Sequence, residues 1–142
     1  MSEERSAQCL CGAVKFRATP TRPEMGVCHC SMCRRWTGGT FMAVECKPDV
    51  SFDCGEDKVQ VYASSPWGER VFCSICGASL FWRTKDRSHW SVSAQAFDES
   101  SRFTFTAQIF IDEKPANYSF ADETMTMTGA EVFEAVMGGK EH

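Results

Sequence analysis

The segment Cys73-Ser74-Ile75-Cys76-Gly77-Ala78-Ser79-Leu80-Phe81-Trp82-Arg83 decides how the chain is read. A C-x-x-C turn brings two thiols close enough to grip one ion, and a glycine after it admits the left-handed backbone that such a knuckle needs. A thioredoxin-type C-x-x-C would follow a strand and open a helix. Here the residues after Gly77 are Ala-Ser-Leu-Phe-Trp, a strand-like run. Cys73 and Cys76 therefore read as metal ligands in a β fold.

Two more clusters lie N-terminal to this one. Cys9-Leu10-Cys11-Gly12 is a C-x-C pair, which works because residues i and i+2 of a strand share a face. Cys28-His29-Cys30-Ser31-Met32-Cys33 places three thiols within six residues, and Arg34 and Arg35 follow at once. Zinc takes four tetrahedral ligands, so its bound sulfurs lie only about 3.7 Å apart. The central three thiols can grip one ion together. Adding an outer pair to them would make five ligands, whereas the two outer pairs together make four. The economical partition is a closed structural site of Cys9, Cys11, Cys73 and Cys76 and an open site of Cys28, Cys30 and Cys33, with two zinc ions per chain. The open position is what catalytic zinc keeps. The alternative is a second closed site completed by His29, His89, Cys46 or Cys54. His29 is flanked by two ligands and in extended chain would point the opposite way, which makes it a neighbour of the ligands rather than one of them.

The remaining cysteines, Cys46 and Cys54, read as small packed side chains. The total of nine is odd, and seven fall in tight clusters, so a disulfide framework is not expected. The 142 residues suit a single domain over 1–142, and 43% hydrophobic with 12% aromatic residues can fill a core. A net charge of -4 argues against nucleic acid, and no apolar run is long enough to span a membrane. The polar start, Met-Ser-Glu-Glu-Arg-Ser-Ala-Gln, lacks a signal-peptide core, so a cytoplasmic location is expected.

Short segments rich in Val, Phe, Thr and Ser predict a mainly β fold of antiparallel sheets. Gly12–Ala18 and Val59–Tyr62 alternate apolar and polar. Thr40–Val44, Ala78–Arg83, Trp90–Ala94 and Ala107–Ile111 read as further strands. Thr128-Gly129-Ala130-Glu131 matches a capping box, so a short C-terminal helix is expected over about 129–137, with Gly138 as its stop. A helical turn is also compatible with the residues after Cys33.

A zinc ion with three thiolates is anionic and a weak activator of water, but it suits an incoming thiol bound as thiolate. Cations are then expected nearby. Arg34, Arg35 and Arg70 are the candidates, a guanidinium being able to grip a carboxylate with two bonds. Without catalysis, the same clusters would suit a zinc-stabilised binding module or a thiol-based metal store.

Cys9-Leu-Cys-Gly-Ala-Val14, Cys28-His-Cys-Ser-Met-Cys-Arg-Arg-Trp-Thr-Gly38, Val61-Tyr-Ala-Ser-Ser65, Arg70–Arg83 and Thr106–Ala116 together resemble the glutathione-dependent formaldehyde-activating enzyme family over about 8–118. The resemblance implies a mainly β zinc-binding fold of the β-tent type. It also implies a carbon–sulfur lyase activity: reversible addition of glutathione to formaldehyde, giving S-(hydroxymethyl)glutathione. A different electrophile for glutathione is the alternative within the family. By the same resemblance, the structural zinc falls on Cys9, Cys11, Cys73 and Cys76, and the catalytic zinc on Cys28, Cys30 and Cys33. The chain departs from the family pattern at Gln108, often His; at Asn117, often Trp; and at Met125–Thr128, where a Leu-Pro-x-Phe ending is usual.

Overall fold

The computed structural model describes residues 3–137. Eleven strands form among them: β1 (Arg5–Gln8), β2 (Lys15–Ala18), β3 (Glu24–Cys28), β4 (Phe41–Cys46), β5 (Ser51–Cys54), β6 (Val59–Tyr62), β7 (Gly68–Cys73), β8 (Ser79–Thr84), β9 (Trp90–Ser93), β10 (Thr104–Ile109) and β11 (Met125–Met127). The helices are α1 (Ser31–Thr37) and α2 (Gly129–Met137). The mainly β class with a short C-terminal helix is the one that forms. The chain packs as two compact units, Met1–Glu24 with Ala43–Thr104 and Met25–Met42 with Phe105–His142.

In the first unit, β1, β2 and β5 form an antiparallel sheet. Strands β4, β9, β8, β7 and β6 lie side by side in that order, each antiparallel to its neighbour. Alternation along β2 (Lys15, Phe16, Arg17, Ala18) buries Phe16 and Ala18 and exposes the two bases. Phe16 meets Phe81 edge to face at 5.7 Å, and Phe81 meets Trp90 at 4.8 Å. Beside these rings Arg83 donates to Glu69 at 2.6 Å, both side chains largely covered, with the guanidinium also over the Trp90 ring at 5.0 Å.

In the second unit, the strand order is β11, β10, β3. The β10–β11 pair is parallel, Ala107 facing Met125 and Ile109 facing Met127, so the expectation of antiparallel sheets fails at this edge. The cause is the connection. Phe110 turns out of the strand at φ 54°, and the segment to Met125 is long enough for the crossover that a parallel pair requires. The same turn ends β10 at Ile109, two residues before the predicted Ile111. Gly26 of β3 lies so close to β10 that an added Cβ would stand 3.3 Å from the Ala107 carbonyl oxygen.

The predicted capping box forms at α2. Glu131 N donates to Thr128 Oγ1 at 3.1 Å, and Thr128 N donates to Glu131 Oε1 at 2.8 Å. The predicted stop at Gly138 lies outside the described residues. The predicted strand from Gly12 starts only at Lys15, because Cys9–Val14 close into a turn: Gly12 N donates to Cys9 O at 3.3 Å, with Gly12 at φ 79°.

Candidate metal centres

Cys9 and Cys11 come from that turn, and Cys73 and Cys76 from the end of β7 and the turn after it. Gly77 takes φ 80°, the left-handed conformation anticipated for the knuckle. All four Sγ atoms lie within 4.8 Å of one another. Cys9 and Cys11 stand 3.6 Å apart, Cys11 and Cys73 3.9 Å, bracketing the spacing of about 3.7 Å that tetrahedral zinc imposes. Amides aim at the sulfurs: Val14 N at Cys9, and Ile75 N and Cys76 N at Cys73, at 3.4–3.5 Å. Such donors favour thiolates. Backbone amides of Ala78 and Cys11 lower Cys76 to about 6. Cys11 goes the other way: against the pull of the Ala13 amide, desolvation and the three neighbouring sulfurs push it up to about 11. Four sulfurs packed this closely do not ionise together without a cation among them, and this donor set fits a metal ion.

The second cluster is built by β3 and α1. Its three Sγ atoms also lie within 4.8 Å of one another. Cys28 ends β3, Cys30 is the N-cap of α1, and Cys33 sits in the helix's first turn. The helix begins before Cys33, earlier than the sequence suggests, because Cys30 Sγ accepts the Cys33 amide at 3.3 Å and Gly38 closes the other end at φ 78°. Hydrogen bonds from Cys28 and then Cys33, with the Cys33 and Met32 amides, draw Cys30 down to about 2; Cys28 is pushed up by the Cys30 and Cys33 thiols and by burial.

No fourth His, Cys or carboxylate joins this cluster among the described residues. Cys46 is buried with its thiol toward Val44 O, and Cys54 is exposed with its thiol toward Ala13 O. His89 is held by Ser88 at 3.1 Å. His29 is fully buried with both ring nitrogens engaged: Nδ1 with the Tyr118 hydroxyl and Nε2 with Gln108 Oε1, each at 2.8 Å. Its ring stacks on Tyr118 at a centroid distance of 5.5 Å.

Of the three arginines, Arg34 folds back so that Nε donates to His29 O at 2.8 Å. Arg35 is exposed, and no carboxylate among the described residues pairs with it. Arg70 belongs to the first unit, on β7, buried at 4% exposure with Nε donating to Ser64 Oγ. Four residues escaped the sequence reading as neighbours of the second cluster: Tyr118, Gln108, Thr124 and Glu113. Glu113 Oε1 accepts the Ser31 amide at the start of α1, at 2.9 Å. Gln108 Nε2 donates to Thr124 Oγ1 at 2.8 Å. Lys114 gathers the segment by donating to Pro115 O, Tyr118 O and Ser119 Oγ.

The class this defines is a mainly β chain built around two cysteine clusters, each of which could hold a metal ion. The family model described as glutathione-dependent formaldehyde-activating enzyme matches residues 4–113, and the chain belongs to that family and is an enzyme of it. An uncharacterized lyase of Schizosaccharomyces pombe is 37% identical over 137 residues, covering 94% of this chain and 98% of the relative. A Halomonas elongata protein, provisionally named a glutathione-dependent formaldehyde-activating enzyme, is 35% identical over 82 residues, covering 51% and 52%. A solved Rhodobacter sphaeroides structure shares the fold, with a TM-score of 0.59 at 20% identity, covering 71% of this chain and 99% of that one. No helix among the described residues is long and apolar enough to cross a membrane.

Proposed function

We propose that the chain is a zinc-dependent carbon–sulfur lyase that reversibly adds glutathione, or a similar thiol, to formaldehyde or a related aldehyde. The observation that carries this reading is the three-sulfur cluster of Cys28, Cys30 and Cys33, which draws no fourth ligand from the described residues. Zinc held there would stabilise the thiolate form of an incoming thiol. Cys9, Cys11, Cys73 and Cys76 hold the second, structural ion. Arg34 lies half-buried beside the loop and offsets the negative charge of three thiolates, and exposed Arg35 is placed to reach a carboxylate of a peptide-like thiol. In the synthetic direction the thiol gives up its proton, its sulfur forms the C–S bond, the carbonyl π pair moves to oxygen, and that oxygen takes up a proton, so that none is gained or lost overall. Nine cysteines outside any disulfide suit a reducing, cytoplasmic compartment.

The test is exchange of formaldehyde with its glutathione adduct, followed by NMR line broadening or magnetisation transfer. Acceleration by the zinc-loaded protein is expected. A rate equal to that without protein removes the proposed reaction and leaves the zinc-stabilised binding module in its place.

A further inference from the structure

Cys30 is gripped on both sides by one segment of chain. The backbone amide before it, His29 N, donates to Ile109 O at 3.1 Å, and the amide after it, Ser31 N, donates to Glu113 Oε1 at 2.9 Å. Ile109 ends β10, and Glu113 closes the tight turn that follows. Phe110 enters that turn at φ 54°, and Glu113 N and Lys114 N seal it by donating to Phe110 O and Ile111 O. Neither of the two bonds uses the Cys30 sulfur, which accepts the Cys33 amide at 3.3 Å and lies within 4.8 Å of the other two thiols.

The same turn carries α2. Asp112, the residue before Glu113, accepts the Gly129 amide through Oδ1 at 2.8 Å. The Phe110 ring lies so close to Gly129 that a Cβ there would stand 2.8 Å from two ring carbons, and it meets the Phe133 ring edge to face at 5.9 Å. The first amides of a helix have no partner within it. Two adjacent carboxylates each supply one from outside: Glu113 holds the first amide of α1, Asp112 the first amide of α2. Neighbours in one tight turn do not shift independently, so a displacement of α2 is felt at Ser31 and hence beside Cys30.

We propose that Asp112 and Glu113 are positioning residues for the three-cysteine cluster, and that through them α2 sets how tightly the cluster holds its metal. A loop that is already ordered loses less freedom when the ion binds, so its affinity is higher. Such coupling is reciprocal: metal in the cluster tightens the docking of α2 by the same factor. The inference rests on the reading of Cys28, Cys30 and Cys33 as a metal site. It adds that α2, which lies beyond the residues matched by the family model, is part of the support of that site.

The test measures zinc affinity by competition with a chromophoric chelator, the two clusters being told apart by cadmium-113 NMR of the same proteins. Glu113→Ala should weaken the ion of the three-cysteine cluster about tenfold and leave the other unchanged. Glu113→Gln keeps an oxygen for the Ser31 amide and should restore most of the affinity. Asp112→Ala removes only the bond to α2, yet should weaken the same ion by about threefold. The wild-type protein gives a readout that needs no variant to fold: hydrogen exchange at the Gly129 amide should slow by about threefold when the second zinc joins the first. Wild-type affinity in either alanine variant, or Gly129 exchange that ignores the second zinc, overturns the inference alone. A wild-type protein whose three-cysteine cluster takes up no metal overturns the proposed function and this inference with it.

Discussion

Cys30 combines two roles whose chemistries differ. Its thiol is drawn well below the usual range by its neighbours, and it also caps α1 by accepting the Cys33 amide at 3.3 Å. Serine is a good N-cap but a poor ligand for a thiophilic ion. Cys30→Ser should therefore lose one zinc per chain and all exchange activity while the fold persists. Cys30→Ala should lose the cap as well and be less stable than the serine variant by about 1 kcal/mol. Metal analysis beside urea unfolding checks both, and equal stability of the two variants would remove the capping role. At this scale the grouping of the cysteines was legible because tight spacing along the chain brings their sulfurs together. Tyr118 was not, because its bond to His29 joins residues 89 positions apart, and a lone tyrosine carries no pattern. Gln108 stood out only as a departure from the family, with its role visible once His29 was seen buried against it.

Among the elements, the turn after β5 has the least room. Gly55 lies at φ 82°, and a Cβ built there would stand 2.0 Å from Ala13 O and 2.8 Å from Val14 Cα. Both contacts are backbone, just past the Cys9–Gly12 knuckle, so no side-chain rotation relieves them. The left-handed conformation alone costs a non-glycine residue about 1–2 kcal/mol, and the clash adds to it. Gly55→Ala should lower stability by more than about 2 kcal/mol, as a drop in urea midpoint at unchanged slope. By contrast, Thr128→Ala removes one half of an exposed capping box and should cost only about 1 kcal/mol, read as lost helical signal and a small midpoint shift. Elements with a clean local period were readable: β6 at Val59–Tyr62 and the start of α2 fall where alternation and capping put them. Those without a period were missed. Strand β7 buries Gly68, Arg70, Val71 and Cys73, with a bulge between Val71 and Phe72, and β5 is mostly exposed, so neither shows a two-residue alternation.

For the whole molecule, the proposed division gives the two clusters different tasks, and that difference gives the broadest test. The partition of seven thiols into four and three was visible from counting, because coordination number is a global constraint that sequence separation does not blur. What counting could not supply was the parallel β10–β11 edge, which depends on the path of the connection from Phe110 onward. The four-cysteine cluster joins Cys11 to Cys73 across 62 positions of chain. Tying two such distant points removes freedom from the unfolded chain in the same way as a cross-link, which for a loop of this length is worth about 4 kcal/mol. The three-cysteine cluster spans one short turn already held by the α1 cap, so its metal restrains little that is not restrained without it. Cys76→Ser should therefore lower the urea midpoint far more than Cys30→Ser, although each removes one ligand and one zinc. Mild chelation of the wild-type protein should abolish exchange activity on losing the first zinc, while far-ultraviolet circular dichroism holds until the second leaves. If both serine variants unfold at the same midpoint, or if activity and structure are lost together with the same zinc, the division into one structural and one catalytic site is wrong.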